Sequence, residues 1–238
     1  MPHAHTRPVG VGKVRKKGRD PFECLRIRLL DQLDSLVPFL ALSHREIFNV
    51  LKMEYAGWYT DDRRSTLPNT LNEYSHQVAH AAFLLGYSYA EAFVTDLICE
   101  VYSARRDLLP KEKHLPFGEV LLLTDFEEVV KHMIESMIAG MNSLEAKILH
   151  LERSFGWQIP QAAQLRDAHV ARNALVHYAG YVNREPPEGS RWHSGDRIEL
   201  SANDVHEFGI IARAFVRELC EQAKAICGRS KRSTRSST

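Results

Sequence analysis

The chain has 238 residues, 44% hydrophobic and 26% charged, with a formal net charge of +1. That is ordinary globular composition, long enough for a sizeable core in one large domain or two small ones. No apolar run approaches the roughly 18 residues that span a bilayer, and no apolar segment follows the basic N-terminus as it would in a secretory signal, so neither a membrane nor an export role is expected.

Cys24, Cys99, Cys220 and Cys227 make no C-x-x-C pair and no zinc spacing. Unpaired, mostly buried thiols in a reducing cytosol are expected, and with them a cytoplasmic location. The small net charge hides an asymmetry. Arg7, Lys13, Arg15, Lys16, Lys17 and Arg19 stand at one end, and Arg229, Lys231, Arg232 and Arg235 at the other, with no acid among them. Of 31 Lys and Arg residues these ten lie in the ends, which leaves 21 in the body against 30 acids. Residues 1–20 and 228–238 are therefore expected to be disordered basic arms around a helical domain at 21–227. Such arms either reach phosphate backbones or serve as solvated tails. Gly10-Val-Gly-Lys-Val14 fails the phosphate-loop pattern, because no Ser or Thr follows Lys13 and no strand precedes it.

Pro21 suits a first helical turn. Leu25, Leu29, Leu33 and Leu36 continue at helical spacing, so a helix is predicted over 22–36, interrupted or kinked by Pro38. A second segment is predicted over 39–58 and a loop over 61–68. From 71 to 107 no proline occurs and the helical period holds throughout, a span of roughly 50 Å, with a bend at Gly86. His76 and His80 stand one turn apart, as in H-x-x-x-H metal pairs. The internal Glu and a third ligand are missing, so no metal site is expected.

A two-proline connector follows at 108–118, and a short helix is read over 119–123. Asp125 reads as an N-cap, with Glu128 completing a capping box. That helix runs to about Ala139 and breaks at Gly140. Another runs from Ser143 to its end at Gly156. After Gly180, residues 184–190 are turn-rich, and Trp192 and 197–200 are expected to form a short extended piece. Ser201 or Asn203 caps a last helix that ends near Ile226. The expected fold is an all-α, single-domain bundle of six to eight helices, without a sheet.

The helix before Gly180 carries the chemistry. With Leu165 at 0° and roughly 100° per residue, Ala168, Ala171, Leu175, Val176 and Ala179 share a broad apolar face, and Arg172 falls near the middle of it. A guanidinium there needs a carboxylate or phosphate partner. His169, Asn173 and His177 form a ladder beside it. Glu91, among Tyr87, Tyr89 and Phe93, either faces solvent or turns inward to pair with Arg172.

Arg172-Asn173-Ala-Leu-Val-His177 resembles the R-N-x-x-x-H signature of the HEPN superfamily. The segment Ser88-Tyr-Ala-Glu-Ala-Phe-Val-Thr-Asp-Leu97 is similar to that family's earlier acidic helix. The likeness extends over about 74–183 and is closest to stand-alone HEPN proteins of prokaryotic toxin and defence systems. The resemblance implies a metal-independent, cofactor-free endoribonuclease leaving a 2′,3′-cyclic phosphate and a 5′-hydroxyl. It also implies an RNA substrate, a homodimer formed through the motif helices, and a cognate inhibitor or sensor protein. Arg172, His177 and Asn173 would act on the phosphodiester, with Glu91 and His169 supporting them. A nearby tyrosine used in a nucleotide-transfer variant stands two residues past the histidine, where this chain has Ala179, so that regulation is not expected. Some members keep the fold without activity, which leaves a non-catalytic module binding protein or nucleic acid as the alternative. Because Arg172 and His177 are five apart, an ideal helix sets them roughly 140° from each other, and a single chain brings them together only by a bend or by the reach of the arginine.

Overall fold

In a computed structural model, the described residues are 20–54, 67–110 and 125–233, with 116, 118 and 123 between them. Residues 1–19, residues 61–66 of the loop expected over 61–68, and residues 119–122 of the short helix expected over 119–123 lie outside these. Among the described residues six α-helices follow in order: α1 (Pro21–Glu54), α2 (Leu67–Ala104), α3 (Phe126–Ala139), α4 (Leu144–Phe155), α5 (Ala162–His177) and α6 (Ala202–Ser233). One 3-10 turn, Arg106–Leu108, follows α2. The fold is all-α, and no strand occurs among the described residues.

The starts and stops follow local chemistry. Asp20 accepts from the Phe22 amide ahead of α1 (3.0 Å), and Asp125 accepts from Glu128 N (2.8 Å) to cap α3. Ser143 caps α4 through Ala146 N (3.1 Å), and Gly156 ends α4 at φ 67°, a left-handed turn that glycine makes without Cβ strain. At α6, Ser201 Oγ accepts from Asp204 N (3.3 Å) while the Asp204 carboxylate accepts from Ser201 N (2.9 Å), so Ser201 rather than Asn203 is the cap.

Two boundaries differ from expectation. Pro38 does not divide the first segment, because α1 runs through it. A proline deletes one backbone hydrogen bond at a cost of about 3 kcal/mol, and burial of Phe22, Leu29, Leu33 and Leu36 on the preceding turns outweighs it at roughly 1.5–3 kcal/mol each. Gly86 marks a close approach inside a continuous helix. A Cβ there would lie 3.0 Å from Leu36 Cδ1 and 3.4 Å from Phe208 Cε1. Finally, α6 does not stop at Ile226 but passes Gly228 to reach Ser233. An interior glycine costs only about 1 kcal/mol, too little to end a long docked helix, so part of the expected C-terminal arm is helical.

The core is built around α2, which packs most extensively on α1 and α6 and also meets α3, α4 and α5. Ala79, Ala82 and Ala90 let neighbours approach, and Phe83, Tyr87, Phe93, Leu97 and Ile98 fill the space between them. Its segment Glu73–Ala104 is long and apolar enough to cross a membrane by length and composition, a property missed when only unbroken apolar runs are counted. Here the apolar residues of that segment form the centre of the bundle. None of the four cysteines forms a disulfide, and only Cys220 is buried. Cys24 is exposed, and Cys99 and Cys227 are half-buried.

Candidate functional site

Buried positions on α5 are Ala162, Leu165, Ala168, Ala171 and Ala174. They recur every third residue, so the buried stripe turns by roughly 60° per step around a helix of 3.6 residues per turn. By the last turn it has moved away from Arg172 and Val176. Arg172 is half-buried and Val176 is 47% exposed, not in mid-face as a straight stripe would place them.

The helix then stops abruptly. Ala179 takes φ 52° and Gly180 φ 88°, and Gly180 N donates back to Ala174 O (2.9 Å). His177 is therefore the last helical residue and exposed. The following segment pairs with itself. Val182 N donates to Asp196 O (2.9 Å), Gly195 N to Val182 O (2.8 Å) and Ile198 N to Gly180 O (2.7 Å), around a single antiparallel bridge between Tyr181 and Arg197.

Three anchors hold this segment to the bundle. Val182, Ile198 and Leu200 enter the core. Ser190 Oγ donates to Asp167 Oδ1 (2.6 Å). His76 Nδ1 lies 3.0 Å from Leu200 O, and Leu200 N donates to His80 Nε2 (3.3 Å). The H-x-x-x-H pair thus grips both backbone groups of one residue, as a neighbouring strand would. Burial, then the neighbouring His76, lower the pKa of His80, in keeping with a neutral acceptor. Among the described residues no group of three or more His, Cys, Asp or Glu could hold a metal ion.

The motif side chains converge within one chain. Arg172 Nη1 donates to Asn173 Oδ1 (3.0 Å) and lies 2.9 Å from His177 Nε2. Asn173 Nδ2 lies 2.9 Å from His169 Nε2, and His169 Nδ1 lies 2.9 Å from the Tyr87 hydroxyl. The arginine's reach closes the angular gap between positions 172 and 177. No carboxylate forms an ion pair with Arg172 among the described residues.

Glu91 does not fill that role. Its Oε1 is 2.8 Å from Lys147 Nζ, and Lys147 is 7% exposed. Lys147 lies on the stripe of Leu144, Ile148 and Leu151, all buried, so the acid is satisfied from α4. A lysine where a leucine would pack is the same signal that singles out Arg172 in the sequence, and it could have found this pair. Tyr87, 1% exposed, is the other residue that sequence reasoning did not place in the site. Burial, then the charge of Glu91, raise the pKa of its phenol. Burial lowers the pKa of His169, opposed by Glu145 and reinforced by Arg172.

Beside these groups lies an open cleft of about 320 Å³. His169, Asn173, His177, Tyr178, Arg184 and the acidic Glu145 are among the residues that line it. A guanidinium with no carboxylate partner among the described residues, an exposed imidazole and an adjacent cleft can bind an anion and move a proton next to it. Comparison with protein-family models, with curated proteins and with solved structures finds no match to this chain.

Proposed function

We propose that the protein is a metal-independent endoribonuclease of the HEPN type, acting as a toxin or antiphage effector and held in check by an inhibitor or sensor protein. The observation that carries this reading is the 2.9 Å contact between Arg172 Nη1 and His177 Nε2, with His177 also lining a cleft. RNA brings its own nucleophile. The 2′-oxygen attacks phosphorus, its proton passes to a base, the bond from phosphorus to the 5′-oxygen breaks, and the leaving oxygen takes up a proton. Arg172 binds the phosphate and offsets charge on the transition state, Asn173 orients the guanidinium, and His177 carries one of the two proton transfers. A second copy of the chain across the exposed end of α5 supplies the other imidazole, which is the reason for proposing a homodimer.

The test is cleavage of structured RNA by the purified protein in EDTA. Wild type cleaves, and Arg172→Ala and His177→Ala each lose about 10²–10⁴-fold. Equal cleavage by all three proteins defeats the assignment. A second reading, a non-catalytic interaction module, is favoured by Val176 and Tyr181, which are 47% and 50% exposed beside the motif. Expression separates the two readings: a ribonuclease slows growth and its H177A variant does not, whereas a module leaves growth unchanged in both.

A further inference from the structure

Four hydrogen bonds run end to end from the core to the helix end, through Tyr87, His169, Asn173, Arg172 and His177. Their direction is fixed by one member. A guanidinium only donates, so Asn173 must turn Oδ1 to Arg172 and Nδ2 to His169. His169 then accepts at Nε2, and its single proton sits on Nδ1, where it donates to the Tyr87 oxygen. At the other end the same guanidinium makes His177 accept at Nε2, which places that ring's proton on Nδ1 as well.

We propose that Tyr87 and His169 are positioning residues which, through Asn173, hold the Arg172 guanidinium against His177. The consequence for cleavage rests on the ribonuclease reading, while the hydrogen-bond order does not. Tyr87 is fixed in the core of α2 at 1% exposure. Arg172 is half-buried near the end of α5, and an arginine left to itself occupies many rotamers. The chain of bonds passes the rigidity of the first to the second. Burial favours the protonated Tyr87 hydroxyl and the neutral form of His169, the forms that this order requires.

The experiment is ring ¹⁵N–¹H correlation spectroscopy of the full chain above neutral pH, together with cleavage kinetics. In the wild type both His169 and His177 show the tautomer protonated at Nδ1. His169→Leu removes the acceptor for Asn173, so His177 loses its single tautomer and kcat falls by about 10²-fold. His169→Gln returns an acceptor oxygen and restores both readouts. If H169L does not fold, Tyr87→Phe deletes only the hydroxyl and leaves His169 without its fixed partner. The tautomer purity of both rings then falls.

The proposal is overturned if His169 carries its proton on Nε2, or if His177 is unchanged in H169L and in Asn173→Ala, or, where H169L does not fold, in Y87F and N173A. Tautomers that behave as described in a protein that does not cleave RNA would keep the positioning chain and remove the ribonuclease reading.

Discussion

Replacing Glu91 by alanine strands a buried ammonium. The Lys147 side chain is 9% exposed and its partner carboxylate 26% exposed, at a separation of 2.8 Å. Breaking a buried pair from one side costs about 3–5 kcal/mol, and the partial exposure of Glu91 places the loss near 3 kcal/mol. With a urea dependence of about 3 kcal/mol per molar, the unfolding midpoint falls by about 1 M. Lys147→Met keeps an apolar stem and removes the charge, so the E91A/K147M double variant recovers most of the loss. A double-mutant cycle by urea unfolding then gives a coupling of about 2 kcal/mol for Glu91 with Lys147, and under about 0.5 kcal/mol for Glu91 with Arg172. A stronger coupling to Arg172 than to Lys147 would refute the pairing and return Glu91 to the motif.

At the end of α5, Gly180→Ala costs about 1–2 kcal/mol from its left-handed backbone alone, since a Cβ there meets nothing within 4 Å. Ala179→Gly, at φ 52°, is neutral or stabilising, and urea midpoints check both variants. His80→Ala removes the acceptor of Leu200 N and speeds hydrogen exchange at that amide, with little change in α3. Burial depresses His80, His150 and His169 below their ordinary 6.5. The folded chain therefore binds fewer protons than the unfolded chain just below that value. Stability is complete above about pH 6.5 and falls as pH drops through the folded values. A urea midpoint that held steady or rose on acidification from about pH 7.5 to 5.5 would contradict this sign.

What the sequence made legible was mostly local. Asp125, Ser143, Gly156 and Ser201 announce helix ends by their own side chains or by lacking one, and the structure uses each in that way. Pro38 and Gly228 mislead because their local cost is real but smaller than the packing around them, and packing is a property of partners that periodicity does not display. The site divides in the same way. Arg172, Asn173, His169 and His177 share one helix, so their spacing already determines who can meet. Glu91 meets Lys147 and Tyr87 meets His169 only through the packing of α2 on α4 and α5, and which cation reaches the acid depends on that packing. The stripe on α5 illustrates the intermediate case. Its three-residue repeat is visible in the alanines, but a wheel drawn for a straight face puts Arg172 inside it.

The contact between Arg172 and His177 inside one chain changes what a second copy has to provide. If a site took its arginine from one subunit and its histidine from the other, mixing R172A with H177A would rebuild a working site in the mixed dimer. The 2.9 Å pairing within one chain instead makes each subunit contribute a whole pair, and the mixed dimer lacks part of both. No cleavage is then restored. Mixing wild type with H177A in equal amounts sharpens the point. Two proton transfers that need both imidazoles leave only wild-type pairs active, so random exchange in a twofold dimer gives about one quarter of the activity. A site complete within one chain gives about one half. Activity near one half, or rescue in the first mixture, would remove the second imidazole from the mechanism or the intrachain pair from the active form.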